Sequence, residues 1–407
     1  MSSKVKKKIL KLRESSTLVI NEKSKELISK GIKVYQFGFG QSPFPVPEKI
    51  VDVLKKNAHR KEYLPIQGLP ELRENISKYL LKRTGNEYPK ENILITPGSK
   101  EAMLLIHIAF NGEIIIPAPG WVSYEPQAEI GSNKVHWLET TRENNWFPTG
   151  KELEKKIKSV GKNKNLILIL NSPNNPSGVV CKNLEELANV AKKYKIMVLS
   201  DEIYTDLTFS NEYESISKFY PELPFITGGL SKWCGAGGWR LGFLAVPKKL
   251  TEFLKSLKSL ASESYSTVNT PTQYASVEAY ANEHDLYKLK VRAILKAVGN
   301  YVYNNLKSNK ILIAPPQGAF YLMPEFKNKK YKTSSELCKA ILNDTGVAML
   351  PGSDFGFKPK KMITRLSYTD FDGKEFFKNV TNCKMIDDEM IKKYAPNVVE
   401  GINKLSN

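Results

Sequence analysis

Short, largely apolar runs constrain this chain more than any other feature. Ile93–Thr96, Glu113–Pro117, Val135–Leu138, Leu166–Leu170 and Ile196–Ser200 span four or five residues each, a length that suits strands and not helices. Helical stretches follow several of them: Ser99–Phe110, a run from Val122, and Leu184–Lys193. Pro224–Thr227 and Leu241–Val246 read as two further strands. Strands that are nearly all apolar need cover on both faces. The alternation therefore predicts an α/β fold: a buried, mostly parallel sheet with helices on either side.

The flanks read differently. Thr17–Lys30 has apolar residues at helical spacing, with Ser15-Ser16-Thr17 as its cap; Val34–Phe37 is a short strand, and a loop dense in glycine and proline follows. Pro47–Asn57 and Pro70–Arg83 are helices with proline near the first turn. After Lys248 come long helices over 248–260, 270–282 and 285–306. A β-rich piece then appears (Ala319–Met323, Val347–Leu350, Met362–Ser367), with helices at Ser334–Asn343 and near Asp388–Leu405. A chain of 407 residues can hold both parts. The expected division is a large domain over 46–284 and a smaller α+β domain from 1–45 and 285–407, the first of these carrying an N-terminal arm.

Open α/β sheets bind ligands beyond the carboxyl ends of their strands. The stretch Gly228–Phe243 sets Lys232 and Arg240 eight residues apart among small and apolar residues, with five glycines between Gly228 and Gly238. Desolvation of such a lysine lowers its pKa toward that of a nucleophilic free amine. The glycines admit close backbone approach, and the arginine offers a fork matched to phosphate oxygens. Asp201 stands at the exit of the strand Ile196–Ser200; alone, an Asp there is more often a loop cap. Thr96-Pro-Gly98-Ser99-Lys100 turns from strand into helix, which makes either a phosphate cradle or a simple N-cap at Ser99. Asn171–Gly178 has the composition of a turn, Trp121 follows Pro-Gly as partial core would, and Arg365 ends a strand where a surface ion pair would serve.

Together these segments resemble, in order and over nearly the whole chain, the fold-type I pyridoxal-phosphate (PLP) enzymes, specifically the class I/II aminotransferases related to aspartate aminotransferase. The segments are Ser231-Lys232 with Arg240, Asp201-Glu-Ile-Tyr204, Asn171-Ser-Pro-Asn-Asn175-Pro-Ser-Gly178, Thr96–Lys100, Pro119–Tyr124, Tyr63–Arg73 and Arg365-Leu-Ser-Tyr. The resemblance implies a seven-stranded central sheet, and a Schiff base between PLP and Lys232. It implies that Asp201 holds the ring nitrogen protonated, that Asn175 and Tyr204 bind the phenolic oxygen, and that Trp121 stacks on the ring. Gly98, Ser99, Lys100 and Arg240 would surround the phosphate. Arg365 would grip the substrate α-carboxylate, with Gly40, Trp121 and Asn175 beside it. Many relatives have Ser or Thr where this chain has Gly229, so Ser231 would replace that hydroxyl in part or not at all. Tyr63 would reach the partner's phosphate and Asn269-Thr-Pro-Thr-Gln273 would cross the interface, giving a homodimer with shared active sites. In some relatives a lysine at the place of Lys100 faces a substrate's distal carboxylate; the plain alternative is a solvated lysine in a helix's first turn, slightly misfitted to the helix dipole.

The implied activity is transfer of an amino group from an amino acid to a 2-oxo acid. A C–S β-lyase or an aminocyclopropane-carboxylate-synthase-like lyase on the same fold is its rival, since the cofactor residues would be shared. A PLP-binding regulator would need a DNA-binding domain ahead of the match, where this sequence has a short stretch. The net charge of +19 raises nucleic acid as a partner, but the lysines are spread along the chain without interleaved stacking aromatics or a recognisable binding motif. Anionic substrates gain steering from such a surface. No apolar run is long enough to span a membrane, and the basic N-terminus leads into Glu14 and not into the apolar core of a signal peptide. Four scattered cysteines and four scattered histidines lack metal-ligand spacing and suit a reducing cytoplasm.

Overall fold

A computed structural model describes residues 4–406 apart from 11, 13, 15, 211, 212, 283 and 329. The start of the N-terminus (Met1–Ser3) and the cap expected at Ser15 lie outside the described residues.

The apolar runs form one seven-stranded sheet. Its strands are β1 (Ile93–Thr96), β2 (Glu113–Ala118), β3 (Val135–Glu139), β4 (Leu166–Asn171), β5 (Met197–Asp201), β6 (Pro224–Gly229) and β7 (Gly242–Ala245). Their order is β1-β7-β6-β5-β4-β2-β3. Only β7 runs against its neighbours; β3, β2, β4, β5 and β6 pair in parallel. Along β4 the side chains alternate between two separate cores: Leu166, Leu168 and Leu170 enter one, Ile167 and Ile169 the other. The first is closed by Leu153 and Ile157 with Leu184 and Leu187, the second by Met103 and Ile106 with Leu257. That two-sided burial is why the strands lack polar alternation.

The helix Gly150–Val160 on the first face was not anticipated. It carries a plain start signal nonetheless, a capping box in which Thr149 accepts from the Glu152 amide and the Glu152 carboxylate accepts from the Thr149 amide.

Beyond the main sheet, β8 (Ile311–Leu312) pairs with β10 (Glu325–Phe326). A three-stranded antiparallel sheet places β12 (Thr364–Ser367) between β11 (Leu350–Pro351) and β9 (Tyr321–Leu322). The strand expected at Val34–Phe37 is reduced to a single parallel bridge, Tyr35 with Val347, and the Phe37 carbonyl accepts from the Ser367 amide at 2.8 Å. The glycines and prolines that follow leave no length for a longer ladder. The final helix is two, Asp388–Tyr394 and Pro396–Ser406, because Pro396 has no amide to donate and disfavours helical geometry at Ala395.

Candidate active site

Parallel register brings three strand ends together: Asn171 of β4 lies opposite Asp201 of β5, and Asp201 opposite Thr227 of β6. Above them opens a cavity of about 520 Å³, lined by residues that include members of the seven-stranded and the three-stranded sheets. Of the residues expected at the site, Gly40, Ser99, Lys100, Trp121, Asn175, Asp201, Tyr204, Ser231, Lys232, Arg240 and Arg365 line it. Gly98 sits just behind Ser99, and its absent side chain makes room for Arg240, whose Nη2 would be 2.4 Å from a Cβ there. Tyr63 is not brought into its own chain's cavity and is 88% exposed.

Lys232 follows β6, and its Nζ donates to the Gly40 carbonyl at 2.9 Å. Burial and then the nearby Arg365 charge bring its amine down to about 8, against the opposing pull of Asp201. Asp201 is buried at the floor. Burial pushes its carboxyl up to about 6, although the Tyr124 hydroxyl donates to Oδ2 at 2.8 Å and Thr227 to Oδ1 at 3.3 Å. A carboxylate so placed gains from facing a cation.

Asn171 orders the loop after β4. Its Nδ2 donates to the Asp201 carbonyl at 2.8 Å, and its Oδ1 accepts from the Asn175 amide at 2.6 Å. Asn175 then donates from Nδ2 to the Tyr204 hydroxyl at 3.5 Å and accepts from Arg365 Nη1 at 3.2 Å. Arg365 is 1% exposed and lies between the rings of Tyr321 and Phe355, at 4.9 and 5.2 Å. Its Nη2 donates to the Gly38 carbonyl, and its Nε has no hydrogen-bond partner among the described residues. A buried guanidinium with one N–H unpartnered can receive an anion, although Asp354 also supports its charge.

At the opposite wall, Ser99 proves to be the first residue of the helix Ser99–Ala109 and not its cap. The cap is Gly98, in a left-handed conformation with no side chain to occupy the first amides. Those amides remain available beside Arg240, whose guanidinium donates to the carbonyls of Gly237 at 2.8 Å and Pro97 at 3.0 Å. The place where relatives carry a hydroxyl is closed: a Cβ on Gly229 would meet the Leu241 carbonyl oxygen at 2.7 Å, because Gly229 pairs with Gly242 across β6 and β7. Lys100 lies over the Trp121 ring at 5.1 Å; burial and then Arg240 lower its pKa.

Four residues were missed by sequence reasoning: Tyr124, Asn171, Thr227 and Tyr321. Tyr124 and Asn171 lay inside recognised segments, but nothing in the sequence shows that a hydroxyl reaches Asp201 from another strand's loop. Tyr321 had no signal beyond the apolar strand it belongs to.

The cavity suits PLP on its own chemistry. It holds two places fit for anions: the buried Arg365, whose Nε is unpartnered among the described residues, and an amide-rich helix start beside Arg240. It also sets a buried carboxylate and a low-pKa amine within one cavity. Among the described residues no group of three or more His, Cys, Asp or Glu side chains could hold a metal ion.

Comparison with known proteins agrees with this chemistry. The family model for aminotransferase class I and II matches residues 32–375. The aspartate aminotransferase of Geobacillus stearothermophilus is 32% identical over 389 residues, covering 91% of this chain and 96% of that protein. The asparagine–oxo-acid transaminase of Streptococcus mutans is 30% identical, covering 90% and 95%. The solved structure of Thermus thermophilus aspartate aminotransferase with maleate superposes with a TM-score of 0.86 at 25% identity, covering 99% of each chain. With sheet order, site chemistry and sequence all in accord, this chain belongs to the class I and II aminotransferases and is a PLP-dependent aminotransferase.

Proposed function

We propose that this aminotransferase takes its amino group from a dicarboxylic L-amino acid such as aspartate or glutamate, in ping-pong half-reactions with a 2-oxo acid. Lys100 carries the proposal. It sits at the cavity wall over the Trp121 ring, exposed and near Arg240, with no carboxylate partner among the described residues. A second substrate carboxylate would relieve that unpaired charge.

PLP, when bound, supplies an electron sink for the charge left at the substrate's Cα once its proton has gone. Lys232 would hold the cofactor covalently and give up that place to the amino acid. Its free amine would then take the proton from the substrate's Cα in one half-reaction and return one to the acceptor carbon of the 2-oxo acid in the other. An amine brought down to about 8 can do both near neutral pH. Asp201 keeps the ring nitrogen cationic, and the hydroxyls of Tyr124 and Thr227 hold its carboxylate in place. Tyr204 and Asn175 would hold the phenolic oxygen, Trp121 would cover the ring, and Ser99, the amides after Gly98 and Arg240 would hold the phosphate, with Ser231 lining the same cavity. Arg365 grips the α-carboxylate next to the Gly40 backbone.

The active unit in this reading is a homodimer that shares its sites. Tyr63 is exposed, and Thr270 of the Asn269–Gln273 segment donates to the neighbouring Glu62 carbonyl at 2.7 Å, so both interface segments share one surface. A groove of about 560 Å³ beside them reaches Arg240. The domain division at 46–284 against 1–45 with 285–407 is supported by the separate sheets. Four free cysteines suit the cytoplasm. No helix among the described residues is long and apolar enough to cross a membrane.

A panel of amino donors tested against 2-oxoglutarate and oxaloacetate, with product analysis, tests the reading. New amino acid with aspartate or glutamate as the fastest donor supports it. Ammonia and pyruvate in place of a new amino acid would establish a lyase.

A further inference from the structure

The hydroxyls of Tyr204 and Tyr321 lie 2.8 Å apart, with either able to donate. Both residues line the cavity and both are buried, at 3% and 1% exposure. Burial pushes both phenols above their ordinary range, so each keeps its proton. Two touching hydroxyls share a single hydrogen bond, so one proton lies between the oxygens and the other must point elsewhere.

The surroundings decide where. Tyr204 has a second neighbour in Asn175, but Nδ2 at 3.5 Å is a donor and cannot accept. The Tyr321 hydroxyl is packed against Gly40, where a Cβ would come within 2.1 Å, and its ring lies on the Arg365 guanidinium. Among the described residues neither hydroxyl has any other hydrogen-bond partner. The outward proton therefore points into the cavity, from Tyr204 or from Tyr321.

We infer that Tyr321 is a positioning residue: it donates to Tyr204 and so turns the Tyr204 proton toward the phenolic oxygen of the bound cofactor. With that oxygen present, this arrangement gives each of the two protons an acceptor. The reverse arrangement would set a lone pair of Tyr204 against the phenolic oxygen and leave the Tyr321 proton without a partner. Two donors into the Tyr204 oxygen, from Tyr321 and Asn175, also strengthen Tyr204 as a donor in its turn. Gly40 is required here for a reason apart from its carbonyl, since any side chain would occupy the place of the Tyr321 hydroxyl.

The inference rests on the cofactor reading above, and its test separates the two. The PLP-loaded enzyme is titrated with pH while its visible absorbance is followed, for the unaltered protein, Tyr321→Phe, Tyr204→Phe and the double variant. Loss of the Tyr321 donor weakens the bond that favours the ionised phenolic oxygen. The Tyr321→Phe midpoint is expected to rise by about 0.3–1 pH unit, the scale of one net hydrogen bond. In the Tyr204→Phe background the same change is expected to move nothing, because Tyr321 acts through Tyr204. An unmoved midpoint in Tyr321→Phe, or an equal shift in both backgrounds, overturns the inference alone. If the unaltered protein shows no pH-dependent visible band, the cofactor reading fails and the inference with it.

Discussion

Arg365 and Asn175, 190 residues apart in the chain, are joined by a 3.2 Å hydrogen bond from Nη1 to Oδ1. The bond ties β12 of the smaller sheet to the loop that leaves β4, and Asn175 passes the connection on to Tyr204. The residue that would hold the substrate's α-carboxylate is thus oriented by one that would touch the cofactor.

Arg365→Lys keeps the charge and loses the fork. If Arg365 binds the α-carboxylate, kcat/KM should fall about ten- to a hundred-fold for every amino donor, acidic or neutral, the range of one charge-assisted contact. Steady-state kinetics with aspartate and phenylalanine measure it; a loss confined to aspartate would move Arg365 to the distal carboxylate.

Lys100→Ala should show the complementary pattern. Aspartate should lose about ten- to a hundred-fold in kcat/KM while phenylalanine or methionine is spared. Equal losses would assign Lys100 to the cofactor or the fold, and would withdraw the dicarboxylate preference.

Asp201 gives a pH-dependent prediction. Its carboxyl in the folded chain is raised to about 6 from an ordinary 3.8, so the folded state binds the proton more tightly than the unfolded one. Its favourable contribution is therefore complete below pH 3.8 and is lost as pH rises through about 6. Cofactor-free Asp201→Asn should then be more stable than the unaltered protein at pH 8, by up to about 3 kcal/mol, with the gap closing near pH 4. The same variant loaded with PLP should turn over about a hundred- to a thousand-fold more slowly, the usual cost of losing one preorganised charge. Thermal melts across pH and single-turnover rates check the two halves separately.

Gly229→Ser restores the hydroxyl that many relatives carry. In this chain it should destabilise by about 1–3 kcal/mol without tightening cofactor binding, because the new Cβ meets the Leu241 carbonyl at 2.7 Å. A variant that melts normally and binds PLP more tightly would show that β6 and β7 can part to admit it.

Much of this was legible in the sequence, and unevenly so. The apolar runs specified the sheet because residues such as Leu168 and Ile169 are buried on opposite faces, and that leaves a pattern. Lys232 and Asp201 stood at strand exits and Arg240 just ahead of a strand, all within recognisable segments. Tyr321 left no such trace, and Tyr124 lay in a recognised segment with no sign of its role, since both roles arise from hydroxyls meeting partners 117 and 77 residues away. The meaning of Gly229 was open for a related reason: its restriction comes from Gly242 on the adjacent strand. The strand expected at Val34–Phe37 shrank to one bridge, Tyr35 with Val347, because the glycines and prolines after Phe37 leave no length for a longer ladder.

The central claim is that Lys232 is the amine that carries the cofactor. Borohydride reduction of the PLP-loaded enzyme, followed by peptide mass mapping, tests it directly, and the abundance of other lysines makes the test demanding. The account predicts that the pyridoxyl mass is found on the peptide containing Lys232 and is absent from a Lys232→Ala variant, which should also lose visible absorbance and turnover. Label fixed to a different lysine, or a Lys232→Ala variant that still transaminates at the normal rate, would contradict it.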